Sequence, residues 1–235
     1  MKVLYDITRA LTREFPAFPG DPPFEAVPVH DIASAGCLVT RLTMSAHAGT
    51  HLDSPLHVLA GGGGIDTIPL DVFMGPARVV HVPRVPGGAG LTARDLGLDE
   101  IPARGMSGTA TFVERLLIRT ELAGTQPRHP EGHGFISASA VEAIARLGIR
   151  LVGIDTPSVD APESRDLPAH RALARSGVAI LEWLDLSGVP PGDYTLVALP
   201  LRLPGLEASP VRAVLLDAAI SFPARGERGE GCPER

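Results

Sequence analysis

Four potential metal ligands stand close together in the first quarter of the sequence. His47, His51, Asp53 and His57 lie within eleven residues, in the segment His-Ala-Gly-Thr-His-Leu-Asp-Ser-Pro-Leu-His. Imidazole and carboxylate groups are donors that suit Zn²⁺, Mn²⁺ or Fe²⁺. The four positions have the same parity, so an extended chain would present all of them on one face. This density of ligand types predicts a divalent-metal site.

The last of these histidines is open to two interpretations. Ser-Pro-Leu separates His57 from Asp53, so His57 could be a further ligand or an unligated general acid or base beside the metal. The spacing of His47 and His51 would also suit one face of a helix. The intervening Gly49 makes that helix less favourable. A metal site with a nearby proton carrier is suited to hydrolysis.

Length and composition are those of a globular protein with one large domain or two small ones, and no internal repeat or linker divides the sequence. The 235 residues are 44% hydrophobic and 20% charged, which is ordinary for soluble proteins. The net charge of −6 argues against nucleic acid as a partner, and no stretch approaches the ~20 apolar residues of a membrane span. Without a targeting segment, Cys37 and Cys232 are expected to be free thiols in the cytoplasm. We expect one domain over residues 1–223 and a disordered polar tail over 224–235.

Hydrophobic patterning predicts an α/β domain with a mixed sheet. Proline excludes residues 16–23 from a helix or a central strand, so this segment is expected to be a loop. Ser137 or Ser139 can begin one helix and Gly148 can end it. The predicted strands span residues 2–7, 38–47, 77–82, 116–119, 150–155, 178–184, 194–203 and 213–216, and the predicted helices span 137–147 and 169–176.

Several residues outside the histidine segment carry weaker signals. Glu182 lies in the apolar run Ala-Ile-Leu-Glu-Trp-Leu, and a buried carboxylate needs a partner or a metal. Asp155 ends a buried strand and is either a support for a site or a structural turn residue. His129 and His133 lie in a loop and are expected to face solvent, while His81 is expected to be a strand residue without a catalytic role. The glycines of 61–64 lack the context of a phosphate loop.

The histidine segment resembles the signature of the metal-dependent cyclase-like hydrolases. Further segments resemble the bacterial kynurenine formamidases within that family, in register from about residue 5 to residue 217. They include Phe18-Pro-Gly-Asp21, Pro69-Leu-Asp-Val-Phe-Met-Gly-Pro76, Leu151-Val-Gly-Ile-Asp-Thr-Pro-Ser158, Ala179-Ile-Leu-Glu182, Gly192-Asp-Tyr194, Ala198-Leu-Pro-Leu201 and Ala208-Ser-Pro-Val-Arg-Ala-Val214. The resemblance implies a barrel-like mixed sheet with flanking helices, of the swivelling β/β/α type, and a homodimer.

The resemblance also implies residue roles. His47, His51 and Asp53 are similar to ligands of a first metal ion, most often zinc, with manganese or iron as alternatives. Asp53 would also reach a second ion, which His170 would bind, and Glu182 would bridge the two. Phe18 stands where such formamidases usually have a tryptophan facing the aromatic substrate.

The implied reaction is hydrolysis of N-formyl-L-kynurenine to L-kynurenine and formate in tryptophan degradation. A metal-bound hydroxide would attack the formyl carbon, with His57 as the catalytic acid and base. The alternative is a related hydrolase that opens a cyclic amide such as isatin or acts on another small acyl compound. A metal-binding module without catalysis is a third possibility, against which the retained His57 argues.

Overall fold

The computed structural model describes residues 2–82, 90–101, 114–120 and 133–217. The predicted tail over 224–235, His129 and Cys232 lie outside these residues. The described strands are β1 (Val3–Asp6), β2 (Glu25–His30), β3 (Val39–Thr43), β4 (His51–Asp53), β5 (Met74–His81), β6 (Arg115–Arg119), β7 (Leu151–Ile154), β8 (Ala179–Glu182), β9 (Gly192–Val197), β10 (Ala208–Pro210) and β11 (Val214–Leu216). The described α-helices are α1 (Ile32–Ala35), α2 (Ala138–Leu147) and α3 (Pro168–Arg175).

Nine of these strands form one mixed sheet that curls into a half-barrel. Its order is β1-β11-β9-β5-β6-β7-β8-β4-β10. The central strands β5 to β8 are parallel, and antiparallel strands extend the sheet on both sides. The predicted mixed α/β fold is therefore confirmed. Among the described residues, no helix is both long and apolar enough to cross a membrane.

The central strands are buried on both faces because two cores enclose the sheet. Alternate residues of β7 enter different cores: Val152 and Ile154 pack against α2 and α3, whereas Leu151 packs on the opposite face. This arrangement explains the nearly continuous apolar sequence of β7. Helix α2 starts where the side chain of Ser137 accepts a hydrogen bond from the amide of Ala140, and it ends before a left-handed glycine.

Two of the predicted strands extend at least four residues beyond the end of the observed strand. The strand expected over 38–47 ends at Thr43, because the chain turns where the amide of Ala48 donates to the carbonyl of Ser45. His47 therefore lies in a turn, and the left-handed Gly49 bends the chain between His47 and His51. The strand expected over 194–203 ends at Val197, before Pro200, which has no amide donor for a ladder.

Strands β2 and β3 form a separate two-stranded sheet, and β2 was not predicted. Almost every residue of this hairpin is exposed, and α1, which connects the strands, has no buried residue. The exposed side chains include large apolar ones: Val27, Val29, Ile32, Leu38, Val39 and Leu42. An isolated hairpin is marginal in water, and an apolar exposed surface of this kind is typical of an interaction site. We call residues 25–43 the hairpin arm.

Candidate metal centre

Strand pairing brings two of the predicted ligands together. β4 pairs antiparallel with β8, and the register places His51 opposite Glu182 and Asp53 opposite Ile180. His51 Nε2 consequently lies 3.5 Å from Glu182 Oε2, although 131 positions separate the residues in sequence. Both side chains are buried. The burial predicted for Glu182 is confirmed.

The residues between His47 and His51 fix the direction of both side chains. Gly49 has a φ of 66°, a left-handed conformation that glycine adopts without penalty. Its carbonyl oxygen lies 2.8 Å from His51 Nδ1, so Nδ1 carries the proton and Nε2 offers its lone pair to the site. The hydroxyl of Thr50 donates to the carbonyl of Trp183 at 2.6 Å, which ties this turn to the end of β8.

Asp53 lies at the centre of the site. Its Oδ1 lies 3.0 Å from His47 Nδ1 and 3.4 Å from His51 Nε2, while its Oδ2 lies 3.4 Å from His170 Nε2. Glu182 shows the same division, with Oε2 near His51 and Oε1 3.2 Å from His170 Nε2. Each carboxylate therefore directs one oxygen toward His47 and His51 and the other toward His170.

The hydrogen bonding of Asp53 tests whether this arrangement fits a metal. Both carboxylate oxygens are buried, and among the described residues neither accepts a hydrogen bond of normal geometry. An unsatisfied buried carboxylate is expensive, and a cation in contact with both oxygens would remove that cost. The ligand atoms of His51, Asp53 and Glu182 lie within 4.8 Å of one another, as do those of His47, Asp53 and His57. The donor set fits a divalent cation.

A third element, α3, delivers His170. The side chain of Asp160 accepts hydrogen bonds from the amides of Ala169 (2.8 Å) and His170 (3.1 Å) at the start of this helix. The same carboxylate lies 2.7 Å from His170 Nδ1. An ionised carboxylate only accepts, so His170 Nδ1 donates and Nε2 remains free for a metal. Sequence reasoning missed Asp160, whose signal was an acidic residue shortly before a helical histidine.

Glu182 is oriented by the backbone of the same loop. Its Oε1 accepts a 2.7 Å hydrogen bond from the amide of Val159. The next residue, Trp183, has a φ of 56°, and Leu167, which precedes α3, has a φ of 47°. They are the two non-glycine residues with positive φ in the described chain. Strained backbone of this kind concentrates at functional sites, and here it adjoins Glu182 and α3.

The electrostatics of the site favour positive charge. Burial alone would raise the pKa of Asp53, but the histidines around it hold that pKa well below its usual value. Burial opposes a charge on His170, yet the carboxylates of Glu182, Asp160 and Asp53 hold its pKa well above the ordinary value. A field that stabilises a protonated histidine also stabilises a bound cation.

His57 differs from the other histidines of the segment. It ends a short 3₁₀ helix that starts at Pro55, and its ring centroid lies 4.4 Å from that of His47 and 5.5 Å from that of His170. Burial lowers the pKa of His57, so the imidazole is neutral at neutral pH. A neutral imidazole at the edge of the ligand cluster can accept and return a proton.

These side chains open into a cavity of about 600 Å³, a size suited to a small organic ligand. His47, His51, His57, His170 and Glu182 line it. The side chain of Phe18, from the proline-rich loop, lines the same cavity and is 48% exposed.

Two further predictions from sequence are decided by the fold. The expectation that His133 faces solvent is wrong, because His133 is buried and lines the cavity. Three residues later, the backbone amide of Ile136 donates a hydrogen bond to the carbonyl of Val159, which holds this segment against the core. Asp155 is a structural residue. It accepts hydrogen bonds from the amide and hydroxyl of Thr120, both at 2.8 Å, and so joins the ends of β6 and β7.

Comparison with known proteins agrees with this geometry. Kynurenine formamidase of Geobacillus thermodenitrificans (strain NG80-2) is 39% identical over 211 residues, which cover 89% of this chain and 95% of that protein. A solved structure described as a potential metal-dependent hydrolase with cyclase activity is 29% identical, with a TM-score of 0.74, and the match covers 90% of this chain and 96% of that one.

Isatin hydrolase A from Labrenzia aggregata has a TM-score of 0.74 at 24% identity, over 91% of this chain and 93% of that one, and this likeness concerns the fold. The family model described as putative cyclase matches residues 5–161, which is more than half of the chain. The chain therefore belongs to the putative cyclase family.

Proposed function

We propose that this protein is a metal-dependent amidohydrolase that cleaves N-formyl-L-kynurenine to L-kynurenine and formate. The observation that carries the proposal is the buried Asp53 carboxylate, which lies between histidines that line a cavity large enough for an aromatic amide. The identity of 39% to a kynurenine formamidase across most of both chains supports the choice of substrate.

We infer two divalent ions in each subunit, with zinc the first choice and manganese or iron possible. His47 and His51 would hold one ion, and His170 would hold the other. Asp53 and Glu182 would each contribute one oxygen to each of the two ions. The support is the division of both carboxylates between the two histidine groups. Divalent ions held in this way lower the pKa of water toward neutrality and polarise the carbonyl of an amide.

The remaining steps depend on groups of the protein. His57 would accept a proton from the attacking water at its unprotonated imidazole nitrogen and return it to the departing aryl nitrogen. The amine then leaves neutral, and the acid product ionises to formate. Phe18 would pack against the aromatic ring of the substrate. Asp160 and the carbonyl of Gly49 would keep the Nε2 atoms of His170 and His51 directed into the site.

The direct test is hydrolysis of N-formyl-L-kynurenine by protein loaded with zinc or manganese, followed by the absorbance of kynurenine and by release of formate. Protein stripped of metal by a chelator should lose the activity and regain it on reloading. Metal-loaded protein that retains two ions per chain but does not turn over this substrate would refute the assignment.

The second candidate is hydrolysis of a cyclic amide such as isatin. It is favoured by Phe18, which provides a smaller aromatic surface than tryptophan and no indole donor. Both substrates should be assayed with the same preparation. Turnover of isatin without turnover of the formamide would select this alternative.

We further propose a homodimer that works in the cytoplasm and joins through the hairpin arm. The arm exposes Ile32 (70%) and Leu38 (62%), and a second copy would bury them. The double variant Ile32→Glu/Leu38→Glu should sediment as a monomer, while Leu70→Glu, which changes a similarly exposed leucine (59%) outside the arm, should not. A wild-type monomer would refute the dimer. Cell fractionation tests the cytoplasmic location.

A further inference from the structure

The cavity has a cation whose role the metal centre does not explain. Arg165 lies in the loop between Asp160 and α3 and lines the cavity. Among the described lining residues it is the one arginine or lysine. The nearby Arg171 is engaged, because its guanidinium donates to the carbonyls of Val58 (2.6 Å) and Asp166 (2.8 Å).

Arg165 itself is available for a ligand. Glu163 and Asp166 flank it closely in sequence, yet within the described part of the chain Arg165 forms no ion pair or hydrogen bond with either of them. A planar guanidinium presents paired donors that match the two oxygens of a carboxylate. The structure therefore places an unused carboxylate-binding group at the substrate cavity.

The backbone around Arg165 is held in place with respect to the metal centre. The amide of Ser164 donates to the carbonyl of Ala161 at 2.9 Å, and the amide of Leu167 donates to the hydroxyl of Ser164 at 3.3 Å. Asp160 anchors one end of the loop to α3 and to His170. Arg165 is thus carried by the same loop that orients a predicted metal ligand, which favours a fixed distance between the two binding groups.

Two acidic residues in the cavity wall create the need for a cation such as Arg165 when the ligand carries a carboxylate. Asp21 and Glu207 also line it, and their carboxylates would repel a free carboxylate of a substrate. The oxygen of Asp21 accepts from Ser45 at 2.7 Å, and Glu207 lies 3.5 Å from His47, so neither acid pairs with Arg165. A carboxylate on the substrate would gain its compensating charge outside the metal centre from Arg165.

We propose that Arg165 binds the α-carboxylate of the amino-acid head group and so determines preference for aryl formamides that carry this carboxylate. The inference rests on the proposed function. It also separates the two candidate reactions, because isatin has no carboxylate to bind until its ring has opened.

The test compares N-formyl-L-kynurenine with an uncharged formamide of the same aryl ketone that lacks the amino-acid head group. In Arg165→Gln, kcat/KM for N-formyl-L-kynurenine should fall about 10- to 100-fold, mainly through KM, and the preference over the uncharged formamide should fall at least about tenfold. Arg165→Lys should restore part of that preference, because it restores the charge but not the paired donors. The matched control is Arg175→Gln, which changes an exposed arginine of α3 outside the cavity.

Each result has a separate meaning. Equal losses of Arg165→Gln on both substrates would show a structural effect and overturn the inference, as would an unchanged preference. A wild-type protein that is inactive on N-formyl-L-kynurenine would overturn the proposed function itself. Loss of preference in Arg165→Gln with normal values for Arg175→Gln would support the carboxylate contact.

Discussion

The hydrogen bonds of Asp160 lead to a quantitative prediction for metal binding. In Asp160→Asn, one carboxylate oxygen becomes an NH₂ group, which faces either the amide of Ala169 or the amide and Nδ1 of His170. In the first orientation the neutral amide oxygen is a weaker acceptor for His170 Nδ1–H than the carboxylate. In the second, the NH₂ group moves the histidine proton to Nε2 and removes the lone pair that would bind a metal.

The expected magnitude follows from the loss of this support. Removing an outer partner of a metal-binding histidine weakens metal affinity about 10- to 100-fold, or about 1.4–2.7 kcal/mol. The effect should concern the ion on the His170 side, because His51 is oriented by the Gly49 carbonyl and not by Asp160. Competition with a chromophoric zinc chelator should therefore show one weakened and one nearly normal site per chain.

A matched control distinguishes this effect from a general loss of a carboxylate. Asp95 also caps a turn, accepting from the amide and hydroxyl of Thr92 at 2.8 and 2.6 Å, but it does not line the cavity. Asp95→Asn should bind both ions as the wild type does. Unchanged affinity at both sites in a folded Asp160→Asn variant would refute the role given to Asp160.

Three further variants test the catalytic group, the core and the turn. His57→Ala should lose about 10²- to 10⁴-fold in kcat while elemental analysis finds full metal content; lost metal would instead make His57 a ligand. Burial raises the pKa of Asp155 to about 6. The contribution of its protonated carboxyl group to stability is therefore full below about pH 4 and is lost as the pH rises through 6. In urea unfolding of chelator-treated protein, the free energy of unfolding of the wild type should decline by about 3 kcal/mol relative to that of Asp155→Asn across that pH range. Parallel pH profiles of the two proteins would contradict this expectation. Gly49→Ala should destabilise the protein by about 1–2 kcal/mol in urea unfolding, because its φ is 66° and the added Cβ would lie 2.7 Å from Leu11; full stability would show that the turn relaxes.

Much of the site is visible in the sequence because its residue types are unusual for their positions. The histidine segment concentrates four ligand types, and Glu182 interrupts an apolar strand where a lone carboxylate would be costly. The parallel centre of the sheet is equally visible, since strands such as β7 are apolar throughout when both faces are covered. The ends of α2 are set by Ser137 and Gly148, whose capping chemistry is local.

Other features depend on contacts between distant segments. An extended chain would present His47 to His57 on one face, but Gly49 turns the chain and Pro55 starts a 3₁₀ helix. The ligands meet instead through the pairing of β4 with β8. His133 has a loop sequence, but hydrogen bonds of its neighbours draw it into the cavity wall.

The proposed roles of Asp160 and Arg165 also depend on contacts that the sequence does not show. Acidic residues and arginines are common in loops, and the local sequence does not show that Asp160 is buried against His170 or that Arg165 lines the cavity. The sequence by itself determined the ligand types, the mixed α/β pattern and the family. Only the tertiary structure decided which carboxylate orients His170 and which cation reaches the cavity, because hydrogen bonds and charge pairs are set by distances between segments that the order of residues does not specify.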